Sequence, residues 1–222
     1  WGHEGFVPAS GSGENGVLVV LEAAGEDEAR AGTPTVGRAG HFLWSNLARV
    51  GIEREGFRVH NVLSCMPPNL RLAGMPYEQS VIQSCAPNLD ATITDMQARC
   101  RASGKHFTIL TLGQTAFKRV MGLEAKRDRA FLACDYQAYP HWHEGYKAWV
   151  IAADHPSYLM RGQTHLLPVL QFCAQRALEV AKHGVPDERP WYLLDPMAAV
   201  FKQWVKDYLK ALALDPAIEM AY

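Results

Sequence analysis

Four near-continuous apolar runs rich in β-branched residues, at 17–23, 57–63, 106–112 and 147–153, constrain this chain more than any other feature. None alternates apolar with polar residues, so each reads as a strand buried on both faces. Helix-length segments separate them. Residues 39–50 carry Phe42, Leu43, Leu47 and Val50 at helical spacing and stop before Gly51. Residues 114–121 read as a short helix ending at Gly122, and 166–183 as a longer one ending at Gly184. The segment 76–101 places Val81, Ile82, Leu89, Ile93 and Met96 on one side, with a kink or break expected near Pro87. Strands alternating with helices make βαβ units. The expected class is therefore α/β, a three-layer α/β/α fold around a central, mostly parallel four-stranded sheet.

At 222 residues, 48% hydrophobic and 20% charged, the chain has material for one well-buried domain, expected over 1–184, plus an appendage. The Pro-containing stretch 185–196 reads as a linker. Residues 197–213 read as an amphipathic helix with Val200, Trp204, Tyr208 and Leu212 on one face. The ends at Trp1 and Tyr222 are those expected of a segment cut from a longer polypeptide. Twenty-two basic residues against 23 acidic ones leave a net charge of −1, so any nucleic-acid contact must come from a local basic patch. No apolar run approaches the roughly 20 residues of a membrane span, and neither a membrane partner nor a secretory leader is expected. Five cysteines, an odd number in a chain of this size, favour the reducing cytoplasm with thiols free or metal-bound.

Ligand sites in such folds lie beyond the carboxyl ends of the strands. Polar residues gather there: Glu22 at the end of the first run, Asn61 within the second, and Asp154 and His155 after the fourth. The segment Ala23-Ala24-Gly25, and Gly32 through Gly40, are rich in small residues whose backbone N–H groups can approach a ligand closely. Blander readings exist for each. Asn61 and Ser64 serve equally as turn residues closing a strand, His155 as a loop cap, and the acidic group Glu22, Glu26, Asp27 and Glu28 as a helix start. Cys100, Cys134 and Cys173 read as small apolar residues or free thiols. Cys134, His141 and His143 lack a second close ligand pair, so zinc is not expected there.

Four segments in order resemble the uracil-DNA glycosylase superfamily, and most closely its iron–sulfur, family 4-like branch. Residues 21–25 and 32–40 are similar to that branch's G-E-x-P-G and G-x-P-F-V-G-x-A-G, and Asn61 through Pro68 to N-x-x-x-C-x-P-P. Residues 155–161 are similar to H-P-S-x-L-x-R, and residues 110–116 to a strand and helix start of the same family. The resemblance implies hydrolysis of the N-glycosidic bond of a uracil flipped out of DNA, so uracil-containing DNA is the expected partner. Asn61 would read the uracil edge and His155 would sit by O2 as charge develops there. Glu22 would shape the first loop, and Glu28 would orient water or contact the sugar. Ala23, Ala24, Gly25 and Thr35 would line the base. Ser157, Leu159 and Arg161 would belong to the loop that presses an apolar wedge into the duplex and touches phosphate.

The departures are specific. Leu21 stands for the first Gly, Ala24 for the Pro, and Thr35 for a Phe that stacks on uracil; Ala23 stands where other branches carry an Asp. They motivate an alternative, a catalytically weakened glycosylase-like module that binds uracil or DNA within a larger replication or repair protein, fused or docked through 185–222. The branch also holds a [4Fe–4S] cluster on four cysteines. Cys65 and Cys85 match two of them, and the C-x-x-C pair that supplies the others is missing from this sequence.

Overall fold

A computed structural model describes residues 5–123 and 132–185. The chain enters β1 (Val17–Ala23), passes two helices, α1 (Glu26–Ala31) and α2 (Arg38–Ala48), and returns through β2 (Arg58–Leu63). The long helix α3 (Glu78–Ser103) leads to β3 (Thr108–Leu112) and α4 (Gln114–Val120). A hairpin of β4 (His141–His143) and β5 (Ala148–Ala153) follows, then α5 (Pro156–Met160) and α6 (Leu167–His183). The sheet runs β2-β1-β3-β5-β4. Its first four members are parallel and β4 pairs antiparallel with β5 at the edge.

The sheet thus has five strands where four were expected. β4 escapes sequence reading because three residues, His141-Trp142-His143, are too short to show a period. The four expected strands are present within two residues of their expected ends, since a strand covered on both faces must be apolar at every position. Successive side chains of β1 divide between the two faces. Val17, Val19 and Leu21 pack with Leu43 and Leu47 of α2 and with Leu170, Cys173 and Ala177 of α6. Leu18 and Val20 pack with Leu89, Ile93 and Met96 of α3 and Ala116 of α4. Each fully buried Leu of this kind contributes about 1.5–3 kcal/mol.

The break expected at Pro87 does not occur, and α3 runs through it. Pro87 removes the bond to the carbonyl of Gln83, and both residues lie on the exposed side, where that carbonyl is open to solvent. Among the described residues no helix is long and apolar enough to cross a membrane. The extension from 186 onward, with the expected helix 197–213, lies outside the described residues.

This strand order puts a reversal between β1 and β3, because the chain leaves β1 toward β2 on one side and comes back to β3 on the other. A crevice at the carboxyl edge follows from that reversal.

Candidate active site at the carboxyl edge

The end of β3 links the two flanking strands. Thr115, in the first turn of α4, donates its hydroxyl to Glu22 Oε2 at 2.9 Å. Two residues earlier, Gly113 sits at φ +91°, and a β-carbon there would stand 2.9 Å from His155 Cβ. Gly113 N–H also donates to the Ala153 carbonyl at 2.8 Å, tying the start of α4 to the end of β5. Glu22 and His155 are therefore held by one short segment, and the charge of Arg161 is felt by both. Burial pushes the Glu22 carboxyl above its ordinary range. Thr115's hydrogen bond opposes that push, Glu78 adds to it, and Arg161 opposes it. Glu22 lines a cavity of about 660 Å³ with Glu78, Thr115, Lys118 and Arg119 on the α3–α4 side of the sheet.

His155 caps α5. Its Nδ1 accepts the Ser157 backbone N–H at 3.2 Å and lies 2.7 Å from Ser157 Oγ. A backbone N–H can only donate, so Nδ1 is the acceptor nitrogen and the ring proton resides on Nε2. Burial, with the Arg161 charge adding to it, holds the imidazole down to about 4. His155 is thus neutral at physiological pH and presents an Nε2–H donor. Capping and presenting a donor are two uses of one ring.

The loops beside the edge are braced from below. Glu28 reaches back to Gly25 N–H with Oε2 at 3.1 Å, as an acidic residue three positions into a helix can, and to Gly37 N–H with Oε1 at 2.8 Å. Its two oxygens join the entrances of α1 and α2, which is the position of a brace and not of a free group turned to a sugar. Thr35 holds φ +60°, a strained backbone for a β-branched residue. Several contacts fix it there. Trp44 Nε1 donates to Thr35 Oγ1 at 2.9 Å, Thr35 Oγ1 donates to the Pro34 carbonyl at 2.7 Å, and Arg54 Nη2 donates to the same carbonyl at 2.8 Å. Gly40 permits the approach, since a β-carbon there would lie 2.1 Å from the Thr35 oxygen.

Asn61 is only 3% exposed and pairs in register with Leu21. No described residue hydrogen-bonds its side-chain amide. Leu21 and Ala153, two residues before His155, belong to the core cluster on the α2 side of the sheet. Ala24 is buried, with its N–H on the Leu63 carbonyl at 3.3 Å; Ala23 and Gly25 are half-buried beside it. Leu159 corrects an expectation: it is 0% exposed within the α2–α6 core, so it is not a wedge for DNA. The helical turn of α5 points it inward and leaves Tyr158 exposed in its place. Arg161, at the end of that turn, is exposed as a phosphate contact requires. Gly113 and Thr115 lie in the quoted 110–116 match without an assigned role. A glycine between an apolar strand and a helix start was the available signal for them.

Cys65 and Cys85 are half-buried and close enough that Cys85 adds to the burial that pushes the Cys65 thiol up. They are half of a four-thiolate set. Cys100 and Cys173 are buried in separate cores, and the Cys134 thiol turns to Asp135. Among the described residues no group of three or more potential metal ligands occurs, so the residues present do not complete a cluster.

A family model described as the uracil DNA glycosylase superfamily matches residues 8–176. A type-4 uracil-DNA glycosylase of Pyrobaculum aerophilum is 30% identical over 155 residues, covering 70% of this chain and 73% of that protein. One of Thermotoga maritima is 33% identical over 166 residues, covering 72% and 74%. One of Archaeoglobus fulgidus reaches 44% identity over 66 residues, 30% of this chain and 33% of that protein.

Proposed function

Because the chain belongs to the uracil-DNA glycosylase superfamily, we propose that it hydrolyses the N-glycosidic bond of a uracil turned out of DNA, as a step of base excision repair. An extrahelical base has lost its stacking and pairing, and a pocket must replace both. The Asn61 amide, buried and without a protein partner among the described residues, supplies a donor and an acceptor that complement uracil O4 and N3–H. Negative charge grows on the departing base as the bond to the sugar breaks. His155 meets it at O2 with a fixed neutral N–H that needs no reorganisation.

Among the carboxylates at this edge, Glu28 is committed to two backbone N–H groups. Glu22 keeps Oε1 unengaged by the described residues and is the group assigned to hold the attacking water. Ala23, Ala24, Gly25 and Thr35 form the walls, and Ser157 orients His155. Arg161 contacts the DNA phosphates. No lysine is required and no covalent intermediate with the protein forms. Cys65 and Cys85 are assigned as the two thiolates this chain contributes to an iron–sulfur cluster, and no step of the reaction runs through it.

The observation that carries this reading is His155 fixed as a neutral donor at the strand ends. The binding-module alternative loses part of its motive, because Leu21 packs into the core and Ala24 fits a buried turn. The test is incubation with a labelled uracil-containing oligonucleotide followed by alkali. Strand breaks at uracil are expected, lowered about 10²–10³-fold in Asn61→Ala and His155→Ala variants. Tight binding without breaks would favour the module.

A further inference from the structure

A groove of about 700 Å³ lies at the opposite, amino-terminal end of the sheet, away from every residue assigned above. The end of α3, the entry to β3 and the β4–β5 hairpin form it. Trp142 stands in it 45% exposed. Its indole N–H donates to Glu144 Oε2 at 2.7 Å, and Trp149 braces the ring at 5.1 Å with the planes 61° apart. A large aromatic surface is thus held rigid and left open to solvent.

Three cations line the same groove: Arg101, Lys105 and Lys147, all exposed. Arg101 has no ion-pair partner among the described residues. Lys105 donates to the Glu14 carbonyl, and Lys147 pairs with Glu144. The lining contains no acidic side chain. Glu144 offsets Lys147, so Arg101 and Lys105 supply the uncompensated positive charge, local in a chain of net charge −1.

We propose that this groove binds single-stranded DNA, with a base stacked on Trp142 and the phosphates neutralised by Arg101 and Lys105. An open aromatic face beside cations takes any unstacked base, since every base has a π-face and every linkage a charge. A paired duplex offers no such face within the stack, so the groove selects single strands. The proposal rests on the reading that the protein works on DNA, and adds a second contact that holds the substrate strand outside the uracil slot.

The test is titration of the full chain with a uracil-free oligothymidylate, read by quenching of tryptophan emission and by anisotropy of a labelled oligonucleotide. Trp142→Ala is expected to weaken binding by about tenfold or more, and Trp142→Phe to restore most of it. Arg101→Gln is expected to reduce the slope of log K against log salt by roughly 0.7, one phosphate contact on a single strand. Arg101 is exposed, so that variant keeps the test valid if Trp142→Ala folds poorly. Unchanged affinity in Trp142→Ala, an unchanged salt slope in Arg101→Gln, or no binding of oligothymidylate by the parent would overturn the proposal. Uracil release from a short duplex is measured alongside. Its absence would sink the reaction while leaving the groove standing on the titration.

Discussion

The two ends of this one parallel sheet handle polar groups in opposite ways. At the carboxyl edge His155, Glu22 and Glu28 are half-buried and already bonded, to Ser157, to Thr115 and to two glycine N–H groups. At the amino end Arg101, Lys105, Lys147 and Trp142 are exposed. Buried groups in a low dielectric act strongly but only in one geometry, whereas exposed cations act weakly and tolerate many. Bond cleavage needs the first kind of site, and sequence-indifferent holding of a strand needs only the second. The strain at Thr35 and the close approach at Gly113 belong with the first kind, since a backbone is held in such conformations only where its surroundings over-determine it.

The sharpest separation of the two ends comes from single substitutions read in one assay. On a short duplex, which offers the groove no single strand, His155→Ala is expected to lower uracil release by about 10²–10³-fold, while Trp142→Ala leaves it within about twofold. Comparable losses in both would erase the distinction. Next in size is Gly113→Ala. The added methyl collides with His155 and the φ of +91° disfavours any side chain, so release should drop by up to about 100-fold. Stability should fall by about 1–3 kcal/mol in urea denaturation. Full activity would mean that the placement of His155 is not critical.

Glu28→Gln follows. An uncharged amide presents an NH₂ where one of the two N–H groups needs an acceptor, so a loss of about 1.5–3 kcal/mol is expected in the same measurement. The companion change in release should be smaller than that of His155→Ala, because Glu28 acts through the loops.

The remaining effect, spread over several rings, is on pH dependence. Burial lowers His60 and His155 to about 4, and lowers His141 and His143 as well. Below pH 6.5 the unfolded chain binds protons on these rings that the folded chain refuses. Stability therefore falls as pH drops from 7 toward 5.5, and is constant in this respect above 7. Glu22 works in the other sense just above 4.5, where the unfolded chain releases its proton first. A urea midpoint that rises on acidification from 7 to 5.5 would contradict the buried neutral histidines.

How much the sequence discloses follows the same division. Strands β1, β2, β3 and β5 are visible because burial on both faces leaves an apolar run, and α2 and α6 because one face is apolar. β4 is hidden by its length, and of α1 only the acidic start at Glu26 and Asp27 shows. At the site, Glu22, Asn61 and His155 stand out as polar residues where apolar ones are due. The supports do not stand out: Thr115 and Gly113 beside Glu22 and His155, and Trp44 and Arg54 beside Thr35, act through distances that the linear order does not contain. Leu159 misleads because its motif position suggests a surface loop, while a single turn of α5 carries it into the core. Pro87 misleads because its effect on a helix depends on whether the freed carbonyl meets water.

Uracil release at this edge depends most on the protonation of one ring. Nitrogen-resolved NMR titration of His155, assigned through a His155→Gln variant, should show a neutral imidazole with its proton on Nε2 throughout pH 5.5–8 and a midpoint near 4. A midpoint near 6.5, or a proton on Nδ1, would contradict it.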